Sequence, residues 1–345
     1  MLGRVRFAAL LLAVLTVAFS LASCAAPGVL SYGETAADAR LFTYALTLTK
    51  TQTLAALSGS STELEDSPEL WKTDTGSGKT YGDLVLEKTL STFEMTLFYA
   101  NWAKENGVTP DEELKANTRE TISKILSTFS SRKEFDRYMG TYGFDYDLIC
   151  RYYELDALST AGMRAYYQYP ATSLTQADVK AYYRENFVTC LYLAVNEKNQ
   201  TLANGKTVPL TEDEKAERTA FFEKAAEDVK AGGDLAGWVK RNGQSEFGEE
   251  PAAATYQLSS VSPAELREAL TEMDEEEVRA VETPGARYLV KRFKPDENYF
   301  EENTDALFSA VVSLREKEIL QEHGGEFVKN ETFFSELDIS SLPIF

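Results

Sequence analysis

The hydrophobic period of this chain changes twice, and that limits what it can fold into. Up to about residue 186, apolar side chains recur at three- and four-residue spacing, the signature of helices with one buried face. Over 187–195, Val188, Leu191, Leu193 and Val195 read as a strand. Over 303–322, Leu307, Val311 and Leu314 return to helical spacing. The order is helices, then β-α-α-β-α-β-β, then a helix. An α+β fold follows, with a small mixed unit of about 120 residues set inside a helical one.

The helix starts are marked by side chains able to cap free backbone N–H groups. Thr109-Pro110-Asp111-Glu112 offers Thr109 as a cap with Pro at the first helical position. Ser131-Arg132-Lys133-Glu134, Thr175-Gln176-Ala177-Asp178 and Thr211-Glu212-Asp213-Glu214 are capping boxes. Residues 37–57, 84–106 and 146–167 complete the helical half, and 58–79 reads as a polar loop. In the mixed half, helices are expected at 235–240 and 263–273 and strands at 256–258, 277–283 and 287–293. Asn204-Gly205 and Pro284-Gly285 are turn signals.

The N-terminus has the order of a secretory signal: Arg4 and Arg6, an apolar run over 7–21, then Leu21-Ala22-Ser23-Cys24. The run is about 15 residues, short of the ~20 that span a bilayer. Leu-Ala-Ser-Cys resembles the lipobox of bacterial lipoproteins. That resemblance implies that Cys24 carries a diacylglycerol and becomes the first residue after cleavage. Residues 1–23 are then a signal peptide and 24–36 a tether. The protein is expected on the extracytoplasmic face of a bacterial cell membrane, held by lipid, two acyl chains holding where one is marginal. The alternative is an ordinary secretory signal with a Cys by chance.

The formal charge of −20 becomes −22 once Arg4 and Arg6 are removed. A field of that sign repels phosphate, so nucleic acid is not an expected partner. Cys150 falls in an apolar helical segment and Cys190 in a strand. A disulfide is open to them in an oxidising compartment, but their settings read as buried free thiols. One histidine, His323, excludes a multi-histidine metal site, and its place before Gly324-Gly325 reads as a helix C-terminus. No metal or cofactor is expected. Thr75-Gly76-Ser77-Gly78-Lys79-Thr80 has the ending of a phosphate loop, but it lacks the first Gly and follows a polar loop rather than a strand.

Three stretches resemble the PrsA-type foldase lipoproteins, relatives of the SurA chaperone, in which a parvulin-type peptidyl-prolyl isomerase domain is inserted into a helical chaperone domain. They are 112–135, ending in Ser131-Arg132-Lys133-Glu134-Phe135; 174–186, beginning Leu174-Thr175-Gln176-Ala177-Asp178-Val179; and Leu266-Arg267-Glu268-Ala269-Leu270 followed by Glu276-Glu277-Val278. The resemblance implies a helical chaperone domain over 37–172 plus 295–345 and a parvulin-like domain over 173–294. It implies unfolded or newly secreted polypeptides as partners. It also implies a substrate face lined by Tyr192, Leu266, Leu270 and Tyr288.

Here the chain departs from the family. Tyr192 and Tyr288 stand where the resemblance calls for two histidines, and Leu266 and Leu270 where it calls for Phe. The catalytic residues are therefore unknown and isomerase activity is expected to be weak or absent. Tyr192 and Tyr288 also read simply as core tyrosines on adjacent strands. A chaperone needs no catalytic group, only apolar surface, and 18 Tyr, 19 Phe and 3 Trp can supply it or build the helical core. Two alternatives stay open: a working peptidyl-prolyl isomerase, and a solute-binding or structural cell-envelope lipoprotein.

Overall fold

The computed structural model describes residues 28–59, 64–201 and 206–344. The expected signal peptide, Cys24 and the Asn204-Gly205 turn lie outside the described residues. The fold is α+β, and the chain divides into two compact units: 1–174 with 314–345, and 175–313.

The first unit is built on helices. Strands β1 (Leu30–Tyr32) and β2 (Thr35–Ala37) lead into α1 (Ala39–Ser58), capped by Asp38, whose carboxylate accepts the Leu41 N–H at 2.9 Å. A short α2 (Pro68–Lys72) interrupts the expected loop. Thr80 then caps α3 (Tyr81–Glu105) in a full box with Asp83, so the Gly-Ser-Gly-Lys-Thr stretch is a turn that ends in a helix start. Three more helices follow: α4 (Glu112–Ser127), α5 (Arg132–Gly140) and α6 (Tyr146–Tyr166). The cap of α4 is Asp111 and not Thr109. The Asp111 carboxylate accepts from Leu114 N at 2.7 Å, which leaves Pro110 ahead of the helix. Phe42, Phe93, Leu97, Leu148 and Ile149 fill the core. Phe42 meets Phe93 and Phe334 edge-on at 5.7 and 5.2 Å.

The segment expected as a tether is folded from its described part onward. β1 pairs antiparallel with β2 on one side and with Val328–Lys329 on the other. Val29 and Leu30 are buried, and the Tyr32 ring packs on Phe327 at 4.7 Å. Gly33 makes the turn at φ +52°, where a Cβ would strike the Asn101 side chain. Small, polar residues read as a linker because a three-residue strand leaves almost no alternation to detect.

The second unit opens with α7 (Gln176–Asn186), capped by the Thr175/Asp178 box. Next come β3 (Phe187–Asn196) and a hairpin of β4 (Asn199–Thr201) and β5 (Thr207–Pro209). The Thr211/Glu214 box starts α8 (Glu212–Lys230), and α9 (Leu235–Asn242) ends on Gly243 at φ +69°. After these lie β6 (Ala254–Gln257), α10 (Ala264–Glu272), β7 (Val278–Glu282) and β8 (Ala286–Arg292). Helix α11 (Glu297–Glu302) follows, and α12 (Thr304–His323) runs across the boundary at 313.

The four strands form one antiparallel sheet in the order β6-β3-β8-β7. Strand β3 has two buried faces. Leu191, Leu193 and Val195 pack with Phe222, Val229 and Trp238 of α8 and α9. Val188 and Cys190 pack with Leu266, Leu270 and Met273. From the sequence the chain re-enters the helical domain at 295, yet 295–313 stay with the second unit. Tyr183 donates to the Asp296 carbonyl at 2.9 Å and its ring stacks near Tyr299, while Lys180 pairs with Glu297 at 2.6 Å.

Candidate functional site

The register of the sheet assembles the site. Tyr192 on β3 lies opposite Val290, and Tyr288 on β8 lies opposite Ala194. Side chains two apart on a strand share a face. Tyr192 therefore continues the Val188, Cys190 row, and Tyr288 continues the Val290 row. Their rings meet at 5.8 Å between centroids. All four residues expected from the sequence come to one apolar cluster, but not in one role. Leu266 and Leu270 have no exposed surface and form the floor, out of reach of a substrate. Tyr192 and Tyr288 are half-buried and present themselves above it.

Three further residues complete this face. Phe247, which packs on the other core with Leu191, Leu193 and Trp238, meets Tyr192 at 5.1 Å with the planes 80° apart. Tyr256, opposite Val188 on β6, packs on the same cluster. Glu246, exposed, lies against the Tyr192 hydroxyl. Glu246 and Phe247 belong to a stretch without readable periodicity. What orders it is a loop whose side chains stand in for a strand. β6 pairs with β3 only as far as Cys190. Beyond it, Ala194 N donates to Gln244 Oε1 at 2.8 Å and Asn242 Nδ2 donates to the Ala194 carbonyl at 2.9 Å. An edge left open would expose unpaired backbone groups. Gln244 Nε2 also donates to Glu246 Oε1 at 3.0 Å, which sets the carboxylate in place.

The electrostatics of this face are those of neutral phenols beside a carboxylate. Burial, then the charge of Glu246, drives the Tyr192 pKa upward. Burial raises Tyr256 and Tyr288 as well, again with Glu246 contributing. Burial pushes the Cys190 thiol up to about 12, so it is no nucleophile at neutral pH. These tyrosines can donate and accept hydrogen bonds and offer ring faces, but they do not exchange protons at physiological pH. The imidazole of the chain belongs to the other unit, where His323 Nδ1 lies 2.8 Å from Glu326 and its ring sits against Phe98. Among the described residues no three metal-ligating side chains gather.

The helical unit holds a second candidate surface. An open cavity of about 390 Å³ is lined mainly by apolar atoms of α1, α4, α5 and α6 and the turn after α4, among them Ile125, Phe129, Phe135, Tyr138, Met139 and Tyr153. Tyr138 is 45 % exposed at its rim. Sequence spacing alone did not single out this group, because each ring also reads as an ordinary core residue.

No protein-family model and no curated protein matches the chain. Solved structures of PrsA foldases are among those it resembles. PrsA from Bacillus subtilis is 11 % identical with a TM-score of 0.25, over 79 % of this chain and 94 % of that one. The peptidylprolyl isomerase PrsA from Bacillus cereus is 16 % identical with a TM-score of 0.34, over 77 % and 91 %. The foldase protein PrsA from Lactococcus lactis is 13 % identical with a TM-score of 0.25, over 90 % and 99 %. At such identities and scores, what those proteins do does not pass to this chain.

Proposed function

We propose that this chain is a lipid-anchored extracytoplasmic foldase that binds unfolded or newly secreted polypeptides, and that its sheet-bearing unit has at most weak peptidyl-prolyl isomerase activity. The open apolar cavity on the helical unit carries the reading. A contiguous apolar concavity with aromatic walls binds exposed hydrophobic segments, and it needs no reacting group. The Leu-Ala-Ser-Cys sequence supports the anchor. Two neutral phenols where the family resemblance calls for imidazoles support the loss of isomerase chemistry, since uncatalysed X-Pro exchange already takes tens of seconds and a bare apolar floor does little to twist the amide.

The test is paired. The protein is added to a refolding client and light scattering is followed, and the same preparation is run in a protease-coupled X-Pro exchange assay. Suppressed scattering with exchange at the background rate is the expected result. Exchange well above background makes the protein a working isomerase. No suppression removes the foldase reading.

A further inference from the structure

We propose that the tyrosine face of the sheet-bearing unit receives the guanidinium of an arginine in a bound polypeptide; this rests on the foldase reading above and names a recognition element within it.

Three features converge. Tyr192 meets Phe247 at 5.1 Å with the planes 80° apart and Tyr288 at 5.8 Å with the planes 60° apart, so the rings make a corner around Tyr192 and not a flat stack. The corner is half-buried, which leaves ring surface exposed above a dry floor of Leu266 and Leu270. A cation held over such faces is attracted to the ring quadrupole.

The corner also carries negative charge. Glu246 is exposed beside Tyr192, and the charges of Glu246 and Glu265 both act on Tyr288. The nearby strand cations are engaged elsewhere. Arg279 pairs with Glu277 at 2.9 Å, while Arg287 and Lys291 alternate with Tyr288 and belong to the opposite face of β8. Arg292 donates to the carbonyls of Leu270 and Met273. Elsewhere the chain fills comparable rings from within: Arg241 lies 3.6 Å over Trp238 and Arg132 lies 4.4 Å over Tyr146. At the Tyr192 corner the aromatic faces and a carboxylate are assembled and the cation is left to be supplied. Arginine fits better than lysine because its planar fork can stack on a ring and bond a carboxylate at once.

The experiment is calorimetric titration of the full chain with acetyl-Ala-Ala-Arg-Ala-Ala-amide and with its citrulline counterpart, which keeps the shape and removes the charge. The arginine peptide is expected to bind about fivefold tighter or better, in the range of an aromatic–cation contact. Glu246→Gln, an exposed and near-isosteric change, is expected to lower that preference, the ring faces keeping the rest. Equal affinity for the two peptides overturns the proposal, and so does a preference that Glu246→Gln leaves undiminished. Choline competing more strongly than the arginine peptide overturns it too, because the occupant is then a small ammonium and not a polypeptide. Suppression of client aggregation by the same preparation is read separately: if it persists without an arginine preference, this proposal falls and the foldase reading stands.

Discussion

Lys50 has no exposed side-chain surface, in the middle of a helix that reads as apolar and Thr-rich. Its ammonium pairs with Asp66 at 2.9 Å, donates to the Leu342 carbonyl and sits 5.1 Å from the Trp71 ring centre. Asp66 keeps 23 % of its side chain exposed and also accepts the Trp71 indole N–H. The pair is therefore asymmetric. Asp66→Asn leaves a buried cation with one carbonyl and a ring, which costs about 3 kcal/mol or more. Lys50→Met leaves a carboxylate that water and the indole still satisfy, and is expected to cost about half as much. Urea denaturation with unchanged m-values checks the order; equal losses would mean that water reaches Lys50. Nothing in the sequence announces this, since a lysine is almost never fully buried and the partner lies in a loop. By contrast, the family resemblance brought Tyr192 and Tyr288 together, and the register of β3 on β8 puts them on one face. What neither could say is that Leu266 and Leu270 are wholly buried while the two tyrosines keep part of their surface exposed.

At the scale of elements, the helix starts were the most legible feature, because a capping box is written in four consecutive residues. Thr175 with Asp178 and Thr211 with Glu214 both close as written. Packing between helices is set by distance in the fold and leaves a fainter trace. Gly162 is an example: a Cβ there would lie 2.2 Å from the Tyr99 carbonyl oxygen, so α3 and α6 meet backbone to backbone. Gly162→Ala must push the helices apart and is expected to cost about 3 kcal/mol or more despite alanine's better helix propensity, measured as a fall in the denaturation midpoint. An Ala variant as stable as the parent would show that the crossing slides freely.

The same crossing carries a pH dependence. The hydroxyls of Tyr99 and Tyr167 meet at 2.9 Å. Burial first, then neighbouring charge such as that of Glu316, pushes Tyr167 up to about 12, and burial drives Tyr99 upward too. A phenol whose folded pKa lies above its unfolded value of about 10 contributes stability that is whole below pH 10. It is lost as pH rises toward 12, because the unfolded chain gives up its proton first. Unfolding midpoints should fall across that window, and the fall should shrink in a Tyr99→Phe, Tyr167→Phe double variant. A fall of the same size in that variant would assign the alkaline loss to other tyrosines.

At the scale of the molecule, the inserted order of the chain was legible because the hydrophobic period changes at 187. The sheet that closes β1 on Val328–Lys329 was not. It pairs Leu30 with Lys329 and Ser31 with Val328, segments at opposite ends of the chain, by a few backbone bonds, and backbone bonds have no sequence code. No helix among the described residues is long and apolar enough to cross a membrane. The proposed attachment at Leu-Ala-Ser-Cys rests on one thiol, and the charge of −22 left once Arg4 and Arg6 are removed opposes any help from anionic lipid. The proposed anchoring is thus all or nothing. Cells fed labelled palmitate should incorporate it into the wild-type chain, and Cys24→Ala should abolish the label. Cys150 and Cys190 serve as internal controls: Cys190 is buried, with its thiol protonated at neutral pH. Label that survives Cys24→Ala would place acylation on another residue, and absence of label in both chains would make 1–23 an ordinary export signal ahead of a chance cysteine. Loss confined to Cys24→Ala is the expected outcome, because two acyl chains on a single residue suffice to hold a protein that its own surface charge would otherwise keep off the bilayer.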